Sequence, residues 1–65
     1  MQLKLNGNEK EVRAGTIAEL LQELEMPAIG VAVAQNGKVV RRDEHRSTPL
    51  QSGDEIEIIR AVQGG

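Results

Sequence analysis

The sequence predicts an α+β fold, a mixed sheet of four to five strands with one main helix across one face. Three observations carry this prediction. Short runs of alternating apolar residues are broken by Asn-Gly pairs, one stretch has helical spacing behind a capping signal, and a last alternating run follows a polar loop. The 65 residues make a single domain, because two cores would each fall below the size at which a chain folds unaided. Residues 1–60 are expected to form that domain, and residues 61–65 a flexible tail ending in Gly-Gly.

The opening "QLKLNGNEKEVR" puts Leu3 and Leu5 on one face of an extended run. Asn6-Gly7 with Asn8 supplies turn chemistry, and Val12 sits among charged neighbours in a second run, so the segment reads as a β-hairpin. In "AGTIAELLQELEMP", Thr16 can accept from first-turn amides while Glu19 reaches back to the Thr16 amide, the arrangement of a capping box. Ile17, Leu20, Leu21 and Leu24 then fall on one stripe, leaving Glu19, Gln22 and Glu23 toward water. Burying each of these side chains is worth on the order of 1.5 to 3 kcal/mol. Pro27 disfavours helical geometry at Met26, which places the helix end near Glu25.

Val31 and Val33 alternate with Ala32 and Ala34, Asn36-Gly37 breaks the run, and Val39 and Val40 resume it. "DEHRSTPLQSGDE" is polar and reads as a connecting loop with Leu50 its one large apolar anchor. "EIEIIRAV" is the last strand, with Ile56 and Ile58 on one face and Ile59 on the other. A helix leaving a hairpin and feeding a strand of the same sheet covers one face. The first and last strands can then lie side by side in the middle, a β-grasp plan.

Composition removes several function classes. There is no Phe, Tyr, Trp or Cys, so the core is aliphatic and neither a disulfide nor a thiolate metal site supports it. A cysteine-free chain whose start lacks a signal-peptide pattern is expected to be cytoplasmic. The net charge of -2 and the missing aromatics argue against nucleic acid as a partner. No apolar stretch approaches the roughly 20 residues that cross a bilayer, so no membrane role is expected.

Asp43, Glu44 and His45 are consecutive loop residues, which rarely converge on one ion, and are read as solvated; no metal site is expected. Ser47, Thr48 and Ser52 sit in no nucleophile-elbow context, so His45 has no serine to activate and no catalytic residue is assigned. Arg41, Arg42 and Arg46 form a basic patch that either pairs with the interleaved acids or meets an acidic partner. Neither a dinucleotide nor a P-loop glycine pattern occurs.

Gly64 and Gly65 have a bland reading as a small, frayed terminus and a functional one. Without a Cβ, a Gly-Gly end enters a narrow cleft and presents its carboxylate where a bulkier residue would strike the walls. A carboxylate is inert toward nucleophiles until it becomes an acyl-adenylate, so the catalytic groups would belong to another protein. Gly65 is then the residue modified, and Ala61, Val62, Gln63 and Gly64 form the segment recognised. Ordering such a tail costs roughly 1 to 2 kcal/mol per residue, which docking of the domain must offset. Ile59 and Arg60 are the candidate docking residues: Ile59 faces away from the core, and with apolar neighbours it would make a patch, though a lone exposed Ile is ordinary surface.

The "MQLKLNG" start, the "TIAELLQEL" helix, "VAVAQNGKVVRR", "TPLQSGDEIEII" and the "AVQGG" end, taken in order, resemble the ThiS family of ubiquitin-like sulfur carriers of thiamine biosynthesis. The resemblance implies that Gly65 is adenylated by a ubiquitin-activating-type, ThiF-like adenylyltransferase that uses ATP. It further implies conversion to a thiocarboxylate with sulfur from a cysteine desulfurase relay, delivery to a ThiG-like thiazole synthase, and in some systems a thioester-type link from Gly65 to a cysteine of the activating enzyme. The carrier itself would bind no cofactor. Related alternatives are the small subunit of molybdopterin synthase, whose aromatic residues this chain lacks, and carriers for cysteine synthesis. A TGS-like binding module resembles "LQSGDEIEII" but has no need of a free diglycine.

Overall fold

A computed structural model describes residues 1–27 and 29–60; the expected tail, 61–65, lies outside the described residues. The strands are β1 Gln2–Leu5, β2 Asn8–Glu11, β3 Val31–Gln35, β4 Lys38–Val40 and β5 Glu55–Arg60, with helix α1 Ile17–Glu23 between β2 and β3. They form one sheet in the order β2-β1-β5-β3-β4. β1 and β5 run parallel at its centre, and every other pairing is antiparallel. This is the expected β-grasp arrangement, with α1 packed over one face.

The core follows the predicted stripe. Ile17, Leu20 and Leu21 are buried against Leu3, Val33, Ile56 and Ile58, while Leu24 is half-buried at the helix end. Val12, read as part of the hairpin's second run, is buried but lies outside it. β2 stops at Glu11 with all four of its residues exposed. Val12 instead folds under the sheet, its N–H donating to the Met1 carbonyl at 2.8 Å and its carbonyl accepting from the Met1 ammonium at 2.7 Å.

The ends of α1 depart from expectation in instructive ways. Thr16 Oγ1 accepts from the Glu19 N–H at 3.2 Å as predicted, but Glu19 Oε1 accepts from the Gly15 N–H at 2.8 Å, one residue earlier than the capping-box pattern. The helix ends at Glu23, two residues sooner than Pro27 suggested. Glu25 takes a left-handed conformation with φ 58, its N–H donates to Gln22, and the Met26 N–H donates to Leu21 at 2.8 Å. These two bonds satisfy the last carbonyls as a Schellman motif, with Glu in the position glycine usually fills. Glu23, expected to face only water, accepts from the Arg13 and Ala14 N–H groups at 2.9 Å each and so ties the incoming chain to the helix.

The loop between β4 and β5 is more than a connection. It contains a 3-10 turn at Arg42–Glu44 and buries His45, which is 4% exposed. The expectation of a solvated Asp43–Glu44–His45 run is therefore corrected at His45: Asp43 and Glu44 stay exposed while the imidazole turns inward. The His45 backbone carbonyl accepts from the Ala18 N–H at 2.9 Å, and the Thr48 carbonyl accepts from the Ile17 N–H at 3.1 Å. Together with Thr16 Oγ1, these loop carbonyls satisfy amides that a helix start leaves orphaned.

Both hairpin turns place asparagine at positive φ, Asn6 at 48 and Asn36 at 53, each followed by a positive-φ glycine, as the tight hairpin turn requires. Both side chains also clip β5. Asn6 Oδ1 accepts from the Ile58 N–H at 2.9 Å and its Nδ2 donates to the Ile58 carbonyl, while Asn36 Oδ1 accepts from the Glu55 N–H at 2.9 Å. The Asn36 amide donates to Asp54 at 3.0 Å, as do the Gln35 amide at 2.9 Å and the Gln51 N–H at 2.8 Å. Burial alone would discourage ionisation of Asp54, but donation from Asn36, Gln51 and Gln35 outweighs it and lowers its pKa below 3.8.

Two outcomes follow from these bonds. Asn6→Gly relieves the positive φ but removes the clip, and is expected to lower the unfolding free energy by about 1 to 2 kcal/mol, the cost of an unpaired strand amide; chemical denaturation measures it, and a stabilised variant would show that backbone strain dominates. Because the folded pKa of Asp54 is depressed, its contribution is present above the unfolded carboxyl value and is lost as pH falls through the folded one, below 3.8. The stability gap between the native chain and Asp54→Asn should thus be widest near neutral pH and shrink in acid.

Candidate functional site

The sheet has two unlike faces because alternate residues of a strand point to opposite sides. α1 covers the face bearing Leu3, Val33, Val40, Ile56 and Ile58, all buried. The other face has no layer of secondary structure over it among the described residues. Strand register fixes what it presents. Ile59 pairs with Ala32 and Val39 with Ala34, so β5, β3 and β4 bring four apolar side chains into one patch. Ile59 is 61% exposed and Val39 is 72% exposed. Toward β1 and β2 the same face becomes charged, with Lys4 paired to both Glu9 and Glu55, and with Glu57 beside Ala34.

Ile59 therefore lies where the sequence placed it, and the apolar neighbours required for a patch are present. Arg60 does not share its face. It is the next residue of the strand, it pairs with half-buried Val31, and its side chain leaves the sheet on the helix side. A partner approaching the open face meets Ile59 directly and Arg60 only from the strand end. Gly65, Gly64, Gln63, Val62 and Ala61 lie outside the described residues.

Sequence reasoning missed Ile29, which is 72% exposed. β3 begins two residues later with Val31 opposite Arg60, so Ile29 belongs to the end of the sheet at which the described part of β5 stops. The available signal was a large apolar residue between Pro27 and Gly30, where no strand or helix period assigns it to the core. Asp43, Glu44 and His45 do not converge on an ion, and the described residues hold no group of three His, Cys, Asp or Glu side chains suited to one. Thr48 Oγ1 and Ser47 Oγ donate to the Glu44 carbonyl at 2.7 and 3.3 Å rather than to His45. The imidazole Nε2 donates to the Val40 carbonyl at 3.2 Å, a structural bond that anchors the loop to β4. Among the described residues, no helix is long and apolar enough to cross a membrane.

Comparison with known proteins runs the length of the chain. The model of the ThiS family matches residues 3–65. The sulfur carrier protein ThiS of Escherichia coli is 33% identical over 66 aligned positions, covering 100% of both chains. That of Thermus thermophilus is 34% identical, covering 94% of this chain and 95% of its own. A thiazole synthase of Magnetococcus marinus is 38% identical over the whole of this chain, which spans 20% of that larger protein. Among solved structures, a thiamine biosynthesis protein (ThiS) from Geobacter metallireducens superposes with a TM-score of 0.85 at 30% identity, covering 100% of both chains.

Proposed function

The chain belongs to the ThiS family and is a sulfur carrier of thiamine thiazole biosynthesis, and we propose that the group carrying the sulfur is the Gly65 carboxylate. The observation that supports this most directly is topological. β5 crosses the centre of the sheet, exposes Ile59 on the uncovered face, and leads at Arg60 into the segment ending Gly64-Gly65. A partner seated on the Ile59–Ala32–Ala34–Val39 patch thereby gains docking energy next to the start of the segment whose end it must activate.

In the proposed chemistry the Gly65 carboxylate attacks the α-phosphate of ATP held by a ubiquitin-activating-type adenylyltransferase and expels pyrophosphate. A sulfur nucleophile supplied by a cysteine desulfurase relay then adds to the acyl carbon. AMP leaves to give an acyl disulfide with the persulfide donor, and a second thiol of the partner attacks the donor's sulfur, releasing the thiocarboxylate and leaving the donor as a disulfide. Glycine suits the last two positions because no Cβ obstructs entry into a narrow adenylating cleft. The carrier is a co-substrate in this scheme, and the acids and bases of the reaction belong to its partners.

The acceptor is proposed to be a thiazole synthase, supported by the similarity of this whole chain to a portion of proteins named thiazole synthase. The molybdopterin and cysteine-synthesis alternatives give way to this reading, since both the family match and the relatives named as carriers are ThiS. The TGS-like module gives way for the same reason.

With ATP, sulfide and a cognate adenylyltransferase, the intact mass should rise by the difference between a sulfur and an oxygen atom. Deleting Gly65 should abolish that product without changing thermal unfolding. A chain that gains no mass while a known carrier is converted by the same enzyme overturns the proposal. Ile59→Asp should leave unfolding unchanged while weakening adenylyltransferase binding about tenfold or more, as loss of a central apolar contact does; undiminished affinity in a binding titration would remove Ile59 from the docking surface.

A further inference from the structure

On the helix side of the molecule, opposite the Ile59 patch, α1 and the 3-10 turn leave an open groove of about 430 Å³ between them. Ala18, Leu21 and Met26 give it an apolar floor, Gln22 and His45 lie along it, and Arg42 and Arg46 stand at its rim. The sequence leaves two readings for this basic cluster, internal pairing or an acidic partner, and the structure separates its members. Arg41 pairs with Asp43 at 3.5 Å, whereas Arg42 and Arg46 make no ion pair among the described residues, although the chain is acidic overall. Beside the two arginines, His45 leaves an acceptor unfilled, which an N–H of a docked segment, not its carboxylates, would match. His45 is 4% exposed, and with Nε2 committed to the Val40 carbonyl its Nδ1 has no hydrogen-bond partner.

We propose that this groove is a second docking site, for an acidic amphipathic peptide segment presented by a protein partner. The charge complementarity decides the occupant. Two unpaired guanidiniums offer forked donors that match carboxylates, and the apolar floor between them accepts an aliphatic side chain of the same segment. A small inorganic anion would use the rim and leave Ala18, Leu21 and Met26 unused. Two arginines fall short of the larger basic cluster that a lipid surface requires, and the absence of aromatic residues leaves no stacking platform for nucleic acid.

Because the groove and the Ile59 patch lie on opposite faces, both can be occupied at once. A carrier so built remains attached to one protein through its helix face while its sheet face and C-terminal segment engage another. The site is independent of the Gly65 chemistry and is testable without it.

The experiment follows the methyl resonances of Met26, in the groove, and Met1, outside it, during titration with an acetylated Glu-Leu-Glu-Glu-Leu peptide. The expected result is a saturable shift of Met26 with Met1 unmoved, no shift with the peptide in which lysine replaces each glutamate, and none with inorganic phosphate alone. The double variant Arg42→Glu, Arg46→Glu alters two exposed side chains, so its amide spectrum should keep native dispersion while its apparent Kd rises about tenfold or more. Ile59→Asp should bind the peptide as the native chain does. A Met26 resonance unmoved by the acidic peptide, or moved equally by the lysine peptide or by phosphate, overturns the proposal, as does full binding by the folded double variant.

Discussion

Everything in this small domain depends on β5 being held from both sides along the middle of the sheet. Its ladder to β1 is short, with Lys4 opposite Glu55 and Leu5 opposite Ile56, before β1 turns away at Asn6. At that point a side chain replaces the missing strand. The Asn6 amide meets both the N–H and the carbonyl of Ile58, continuing the pairing where the backbone of β1 has departed. Asn36 does the corresponding work at the other end through Glu55 and Asp54. Buried backbone groups left unpaired are costly, so these two turn residues permit a central strand longer than its parallel neighbour. Ile56 and Ile58 reach the core and Ile59 reaches the open face from a strand that stays paired past Asn6 on both edges, with β3 on one and the Asn6 side chain on the other.

A seven-residue helix is too short to be stable by itself, and a core without a single aromatic side chain has little apolar area to lend it. The chain compensates by satisfying the helix ends from elsewhere. Carbonyls of His45 and Thr48 receive the first amides, Glu23 receives amides of the approaching segment, and the bonds around Glu25 close the C-terminus. The loop between β4 and β5 is thus a structural cap for α1, and burying His45 is how the loop is fastened down.

The sequence displays those parts of the fold whose causes are local. Asn-Gly pairs mark both hairpins, Thr16 marks the helix start, and the spacing of Ile17, Leu20 and Leu21 marks its buried stripe. What it hides are bonds between a side chain and a distant backbone, because no periodicity records them. Asn6 looks like turn chemistry alone, yet half its role is played against Ile58, fifty-two positions away. Glu23 reads as a solvated position for the same reason, and His45 reads as part of a charged run because the 3-10 turn that rotates it inward has no strong sequence mark. For the candidate site, strand parity was enough to expose Ile59, whereas the company it keeps depends on register across β3 and β4. Ile29, sitting in a loop with no parity to follow, escaped notice.

The two Asn-Gly turns carry a further consequence, one of chemical ageing. Asparagine followed by glycine is prone to cyclise, because no side chain on the next residue hinders attack of its amide nitrogen on the asparagine side-chain carbonyl carbon, which expels ammonia; water then opens the ring to an aspartyl or isoaspartyl carboxylate. In the folded chain hydrogen bonds to β5 hold both side chains, and that restraint opposes the rotation the attack requires. Once unfolding frees Asn36, the reaction would leave an oxygen where Nδ2 now stands 3.0 Å from the Asp54 carboxylate, setting two negative charges against each other at a part-buried contact. At position 6 the same change would leave the Ile58 carbonyl facing an acceptor instead of a donor. The working lifetime of the carrier is therefore coupled to how seldom it unfolds, since the contacts that hold β5 in place are also the ones that shield these two residues from irreversible damage.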